Sequence, residues 1–409
     1  MHRTDHAPRR PDAESPPTPL GTDVRRRLRK RLRAETAEEA DGALLLTTSD
    51  VIWACGFDHS PSERPVGLWV PVDGATPVLF VPLLEREHAA TVPDVEIETY
   101  LEFPGVRHPV LEMADGIRAR AHGAEVRIAV DAVDLRVAEA LRAAGHDLVA
   151  SDGAARARGV KEPEELDLIR AAARYADAVL FRLHELGGAA IADGASELDL
   201  LEACLTPVRA AMRAELGDRF ASTAMHVVGT VHAAAQAALP HGRPGSTRPK
   251  SGDVVIAGIG AKVGGYHAES GATFVVDGPD REVARCLEVA DACGRAAAAA
   301  VRPGVACDRV NEAGWNVVLE AGLGDHLRHR IGHGMGVDGH EPPWLAPGDA
   351  TEIRPGMTFS DEPGIYRPGR DGVRTIDTLI VHDHATEIPS RFQATVPWDR
   401  RILSTDASR

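Results

Sequence analysis

At 409 residues the chain is longer than one ordinary core supports, so two domains are the expectation. A formal net charge of −15 argues against nucleic acid or an anionic membrane as the main partner. No apolar run reaches transmembrane length, and the five cysteines form no C-x-x-C pair, which suits reduced, buried thiols in a cytoplasm.

Residues 1–20 are rich in Pro and charge and lack an apolar core, so they read as a disordered arm and not as a secretory signal. Asp23–Ala37 carries Arg at helical spacing and starts an amphipathic helix. Gly42–Ser49 is a short buried strand, and Val66–Pro71 and Pro77–Pro82 are apolar runs split by the hairpin signal Asp73-Gly74. Gly116–His122 reads as helix, Glu125–Val130 as strand, and Leu135–Ala144 as a helix ended by Gly145. Strands alternating with helices predict an α/β domain over residues 21–155. Its aromatic loop Trp53–Phe57 suits a packed core turn better than a ligand contact.

Residues 156–409 have another pattern. Gly159–Arg170 opens a long helix, with Pro163 in its first turn and acids suited to the helix dipole. Ser196–Leu216, Ala284–Val301 and Asp308–Ala321 are further helices. Asp253–Ile259, Ala272–Val276, Met357–Ser360 and Thr378–His382 are apolar β-type runs. Helices beside a mostly antiparallel sheet predict an α+β domain.

The chemistry-bearing residues cluster in this second part. Residues 329–341 hold His329, His333 and His340 among Gly332, Gly334, Gly336 and Gly339. Glycine allows close backbone approach, and histidine serves as acid, base or metal ligand near neutral pH. His241 stands at a corner between Leu239-Pro240 and Gly242. Tyr266 and Glu269 lie on a hairpin strand, Glu362 precedes Pro363-Gly364 at a strand end, and Arg374 begins the last strand. Singly, each has a plainer reading as a solvated turn, an exposed strand end or a surface cation.

In order and spacing the set resembles the pita-bread fold family of creatinase, aminopeptidase P, prolidase and methionine aminopeptidase. Lys161-Glu-Pro-Glu-Glu-Leu is similar to the family's "K-s-p-x-E-i" helix start, Glu362-Pro363-Gly364 to its "E-P-G" and Gly372-Val-Arg374 to its "G-v-R". The step of seven from His333 to His340 is the family's, and the step of four from His329 is that of aminopeptidase P. The resemblance implies an α+β pita-bread catalytic domain preceded by a smaller α/β creatinase N-terminal-like domain. It also implies a homodimer, in which the first domain covers a partner's site.

The family's metallopeptidases hold two metals with Asp, Asp, His, Glu and Glu. Here the corresponding positions are Gly258, Glu269, His333, Glu362 and Ile376, so two ligands are missing. Creatinase works without metal, using a histidine twelve residues before the "G-D" aspartate, and His241 stands twelve before Asp253. Creatinase's "E-R-T" is replaced by Gly271-Ala272-Thr273, which speaks against creatine as substrate.

The expectation is therefore a creatinase-like enzyme, metal-independent or at most single-metal, that hydrolyses a C–N bond of a small polar molecule. His241 and Glu362 would be the acid/base pair with His333, while His340, Glu269, Arg374, Tyr266 and His329 would bind substrate. No cofactor is expected. The alternative is one divalent ion such as Mn, Zn or Fe on Glu269, His333 and Glu362, in a mononuclear aminopeptidase P- or prolidase-type peptidase. Lyase or cyclase chemistry and a non-catalytic ligand-binding relic are the remaining readings.

Overall fold

The computed structural model describes residues 16–102 and 107–406. Most of the arm expected over residues 1–20 lies outside the described residues.

The first helix, Thr22–Thr36, lays Val24, Leu28 and Leu32 on a core shared by both halves of the chain. Two of its arginines point inward as well. Arg25 and Arg29 donate to the carbonyls of Ile52, Trp53 and Ala54. These are last-turn carbonyls of the helix Thr48–Cys55, of which that of Ile52 also accepts from the Gly56 N–H. The expected loop Trp53–Phe57 is therefore corrected: Trp53–Cys55 end this helix, Gly56 closes it at φ 85°, and Trp53 and Phe57 are core residues. A six-stranded sheet follows the order Glu96–Tyr100, Val78–Pro82, Gly67–Pro71, Gly42–Leu45, Arg127–Val130, Asp147–Ala150. Its central pairs are antiparallel and its outer pairs parallel, the mixed sheet of an α/β domain.

The second half opens on the helix Pro163–Ala192, with Pro163 at its start and a capping box between Glu162 and Glu165. Near its end, Gly187 and Gly188 let the C-terminal segment at Leu403–Ser404 pack directly on it. Beneath it lies a long hairpin of Val254–Val263 and Tyr266–Val276, extended by the antiparallel strand His226–Ala233. A second sheet orders Glu341–Leu345, Gly332–Gly334, Thr358–Asp361, Asp377–Val381 and Thr386–Glu387. A bridge between Gly271 and Ile376 joins the two sheets, and the site lies at this junction. The helices Arg281–Ala300 and Cys307–Glu320 close the other side over their own apolar core.

A buried ion network fastens the two halves together. Arg158 contacts Asp50 at 2.8 Å, Asp338 at 2.7 Å and Glu341 at 3.2 Å, while Lys161 holds Glu341 at 2.7 Å. Buried charges persist only when paired this closely. Asp338 and Glu341 flank the loop that carries His340, so the network also positions part of the site.

Candidate active site

His333 sits on the three-residue strand Gly332–Gly334, opposite Ser360 on one side and Trp344 on the other. Its glycine neighbours are required by packing: a Cβ at Gly332 would strike the Ser360 carbonyl, and one at Gly334 the Glu341 carbonyl. The imidazole is fully buried. Its Nδ1 lies 3.0 Å from the Gly334 carbonyl, to which only an N–H can bond, so the neutral ring presents its Nε2 lone pair to the cleft. Nε2 stands 3.4 Å from Glu362 Oε1 and 3.9 Å from Glu269 Oε2, without an aligned hydrogen bond. Ser360 Oγ donates to Glu269 Oε2 at 2.9 Å. The exposed His340 stacks on His333, centroids 3.7 Å apart and planes 21° off parallel.

The two carboxyls are driven apart. Burial opposes the charge on Glu362, but the contact with His333 and the nearby charges of His333, His329 and Arg374 prevail and hold it down at about 2. Burial, helped by Glu362, raises Glu269 against the pull of His333 and Ser360. His333 is raised: burial works against its charged form, and its contacts with Glu362 and Glu269 outweigh burial. Burial lowers both His329 and His340. Paired carboxyls of unequal acidity beside an imidazole are suited to proton-transfer chemistry.

The opposite wall of the cleft is different. A Cβ at Gly258 would stand 2.6 Å from Arg374 Nη2 and 3.6 Å from Ile376 Cδ1, and one at Gly271 would stand 2.6 Å from Ile376 Cδ1. A guanidinium and a hydrocarbon chain thus fill that side. Tyr366, whose hydroxyl burial pushes up to about 12, hydrogen-bonds His329 Nε2 at 2.9 Å. His241 lies in an exposed turn, close enough for its charge to act on His329 and His340.

Tyr266 is not part of this group. It lies at the turn end of the long hairpin, buried, and its hydroxyl donates to Glu165 Oε1 at 2.7 Å. The neighbouring Gly264-Gly265 turn points it at the long helix, so the expected substrate contact is corrected to a packing role. Conversely, the sequence reading passed over Ser360, Tyr366 and His232. Ser360 was within reach of it: strand side chains repeat every two residues, which aligns Ser360 with Glu362. Tyr366 and His232 carry no local signal, since their neighbours come from distant strands.

Residues 167–383 match the metallopeptidase family M24, and residues 25–158 match the creatinase/prolidase N-terminal domain. The probable dipeptidase PepE of Mycobacterium tuberculosis is 33% identical over 361 residues, spanning 85% of this chain and 89% of that protein. The crystal structure of dipeptidase PepE from Mycobacterium ulcerans is similar at a TM-score of 0.80 and 26% identity, over 94% of this chain and 100% of that one. An Xaa-Pro dipeptidase from Bacillus anthracis shares the fold at a TM-score of 0.78 and 21% identity, over 92% and 99% of the two chains.

These findings overturn the expectation of a protein without a cofactor. The matched family is one of metallopeptidases, and Glu269, His333 and His340 offer ligand atoms all within 4.8 Å of one another. The physical reason is the stacking of His340 on His333: it brings a further donor beside Glu269, which counting motif positions along the chain does not reveal. The N-terminal and catalytic domains follow in the expected order, α/β then pita-bread α+β, and the relatives are named dipeptidases. The chain belongs to metallopeptidase family M24, in its creatinase, aminopeptidase P and prolidase group, and is a hydrolase of that family.

Proposed function

We propose that this chain hydrolyses the C–N bond of a small amide or dipeptide with one divalent ion in the cleft. One observation carries the reading: the buried His333 Nε2 has no hydrogen-bond partner and faces two carboxylates. Glu269, His333 and His340 would hold the ion, with Glu362 beside them. Mixed imidazole and carboxylate donors suit Mn, Zn or Fe. A second ion is not supported by these residues, because Gly258 and Ile376 offer no donor and Arg374 brings a positive charge to that wall. The dipeptidase names of the relatives support the substrate class.

When bound, such an ion polarises the scissile carbonyl and acidifies water. The protein's own groups do the rest. Glu362, held ionised, accepts a hydrogen bond from the attacking water and orients it. His241, at the exposed mouth, passes a proton to the leaving nitrogen and exchanges with solvent. His329 and Tyr366 fix the wall behind them.

The test is elemental analysis of protein purified without chelator or added metal, with hydrolysis of a dipeptide panel, Xaa-Pro included, before and after chelation. We expect about one ion per chain, as three or four donors can hold, with activity lost on chelation and restored by Mn, Zn or Fe. About two ions per chain would sink the single-ion reading. Full turnover by demonstrably metal-free protein would sink the metal itself.

A homodimer is part of the proposal, supported by the lack of an acid/base set among the described residues of the first domain and by the frequency of two-fold dimers. A cytoplasmic place of action is supported by the five cysteines, all unpaired and buried. Among the described residues no helix is long and apolar enough to cross a membrane.

A further inference from the structure

Arg374 is 8% exposed, and among the described residues no carboxylate forms an ion pair with it. Its Nε has no hydrogen-bond partner, while its Nη2 reaches over Gly258. Its guanidinium has a hydrogen-bond contact with the Tyr366 hydroxyl, which carries no charge, and it acts on Glu362 and Glu269 through its charge alone. A guanidinium taken out of water without a close counter-charge is among the least favourable groups a fold can bury.

A second such group stands on the same face. His232 is 2% exposed, and neither of its ring nitrogens has a partner. Burial first, then the charge of Arg374, keeps this ring neutral, so it has an N–H to give. His232 pairs across the sheet with Ile256, two residues from Gly258, and Gly260 pairs with Glu269. Cross-strand partners and residues two apart share a face, so His232 and Gly258 line one surface. The turn at His241-Gly242 closes over it: a Cβ at Gly242 would lie 3.4 Å from His232 Cε1.

What would satisfy both groups is narrow. A cation is repelled by Arg374. A neutral alcohol or amide leaves the guanidinium without a counter-charge. A planar carboxylate matches the guanidinium fork and has an oxygen left for an imidazole N–H. At Gly258, where the guanidinium comes closest to the hairpin, the chain has no side chain to supply that carboxylate.

We propose that Arg374 and His232 form a carboxylate-binding subsite on the wall of the cleft opposite His333, so that the substrate is a small amide or peptide with a carboxylate on that side. This rests on the hydrolytic reading above and narrows its substrate class.

The test is calorimetric titration of the full chain, as purified, with acetate and with its neutral isostere acetamide, alongside histidine-selective ¹⁵N spectra. We expect saturable acetate binding that shifts the His232 ring signal, and no comparable binding of acetamide. Arg374→Gln should weaken acetate roughly ten- to hundredfold, the loss of a charge-assisted contact, and His232→Leu less. Gly258→Asp, which supplies an internal carboxylate to Arg374 and removes no side chain, should abolish the binding even if Arg374→Gln fails to fold. Acetate binding that survives Gly258→Asp places the anion elsewhere in the cleft and overturns the proposal, as does acetate binding no better than acetamide. The readouts are separable from those above. A protein with one ion and dipeptidase activity that ignores acetate fails this inference alone, and one that binds acetate but no metal fails the proposed function alone.

Discussion

The two walls of the cleft rest on the same strands yet carry opposite chemistry. Along the long hairpin, Glu269 faces His333 and Glu362, while Gly258, one pleat repeat away, faces Arg374 and Ile376. One wall gathers anionic donors around an imidazole; the other holds a fixed cation beside a hydrocarbon. The backbone places both sets with equal regularity. The difference therefore lies in side chains alone: a fold of this kind sets where charge can stand, and single substitutions set its sign. A guanidinium and a divalent cation also exclude each other from a shared volume, so a wall rebuilt around Arg374 turns from cations toward anions.

The largest expected effect sharpens the anionic wall. Glu362→Gln should lower kcat/KM by roughly 10²–10⁴, the usual scale for losing a positioned acid/base group, while circular dichroism stays native. Near-full activity in a folded variant would break the assignment. Next comes the network that holds the His340 loop. Arg158→Ala leaves Asp50, Asp338 and Glu341 without their shared cation. Breaking a buried ion pair by removing one partner costs about 3–5 kcal/mol, which denaturant titration should show, and activity should fall with it. A loss below about 1 kcal/mol, typical of a surface pair, would mean that the network does not hold the loop.

The cationic wall can be turned back. Gly258→Asp with Ile376→Glu supplies two carboxylates and pairs the guanidinium, so metal content should rise from about one ion per chain toward about two, as in two-metal sites. No rise on elemental analysis would show that more than these two side chains separates the walls.

A smaller effect lies behind both walls. Burial pushes Asp177 up to about 6 and Asp377 up to about 7, where Ser270 and Ser390 donate to them. Their folded values exceed the unfolded ones, so the stability they contribute is full below about pH 4 and is lost as pH rises through 6–7. Glu362 runs the other way: held at about 2, it contributes stability above its unfolded value that is lost as pH falls toward 2. The melting temperature should thus decline from pH 5 to pH 8, and Asp377→Asn should flatten that decline. A flat profile in the unmodified protein would remove these aspartates from the account. The smallest test concerns assembly: light scattering at micromolar concentration should report a dimer, and a monomer alone would count against the expected homodimer.

Much of this architecture was legible along the chain, because it depends on near neighbours. Pro163 with the Glu162–Glu165 box, and Ser196 with Asp199, mark helix starts through hydrogen bonds three residues long. Asp73-Gly74 marks its hairpin through positive φ at the glycine. Glu269, His333 and Glu362 could be found because each sits in a short motif whose order along the chain is characteristic. The strand His226–Ala233 was missed because its Gly229 and two histidines blur the alternation, and it becomes a strand only by pairing with Val254–Val263.

What remained belongs to the tertiary structure. The stacking of His340 on His333, the turn of Tyr266 toward Glu165, and the shared face of His232 and Arg374 each join residues far apart in sequence. Sequence by itself determined the elements and the candidate donors, since helix periodicity, caps, turns and short motifs are short-range. Only the packed sheets decided which donors meet and which stay unpaired, because cross-strand neighbours are set by register, and one position along a strand moves a side chain to the opposite face.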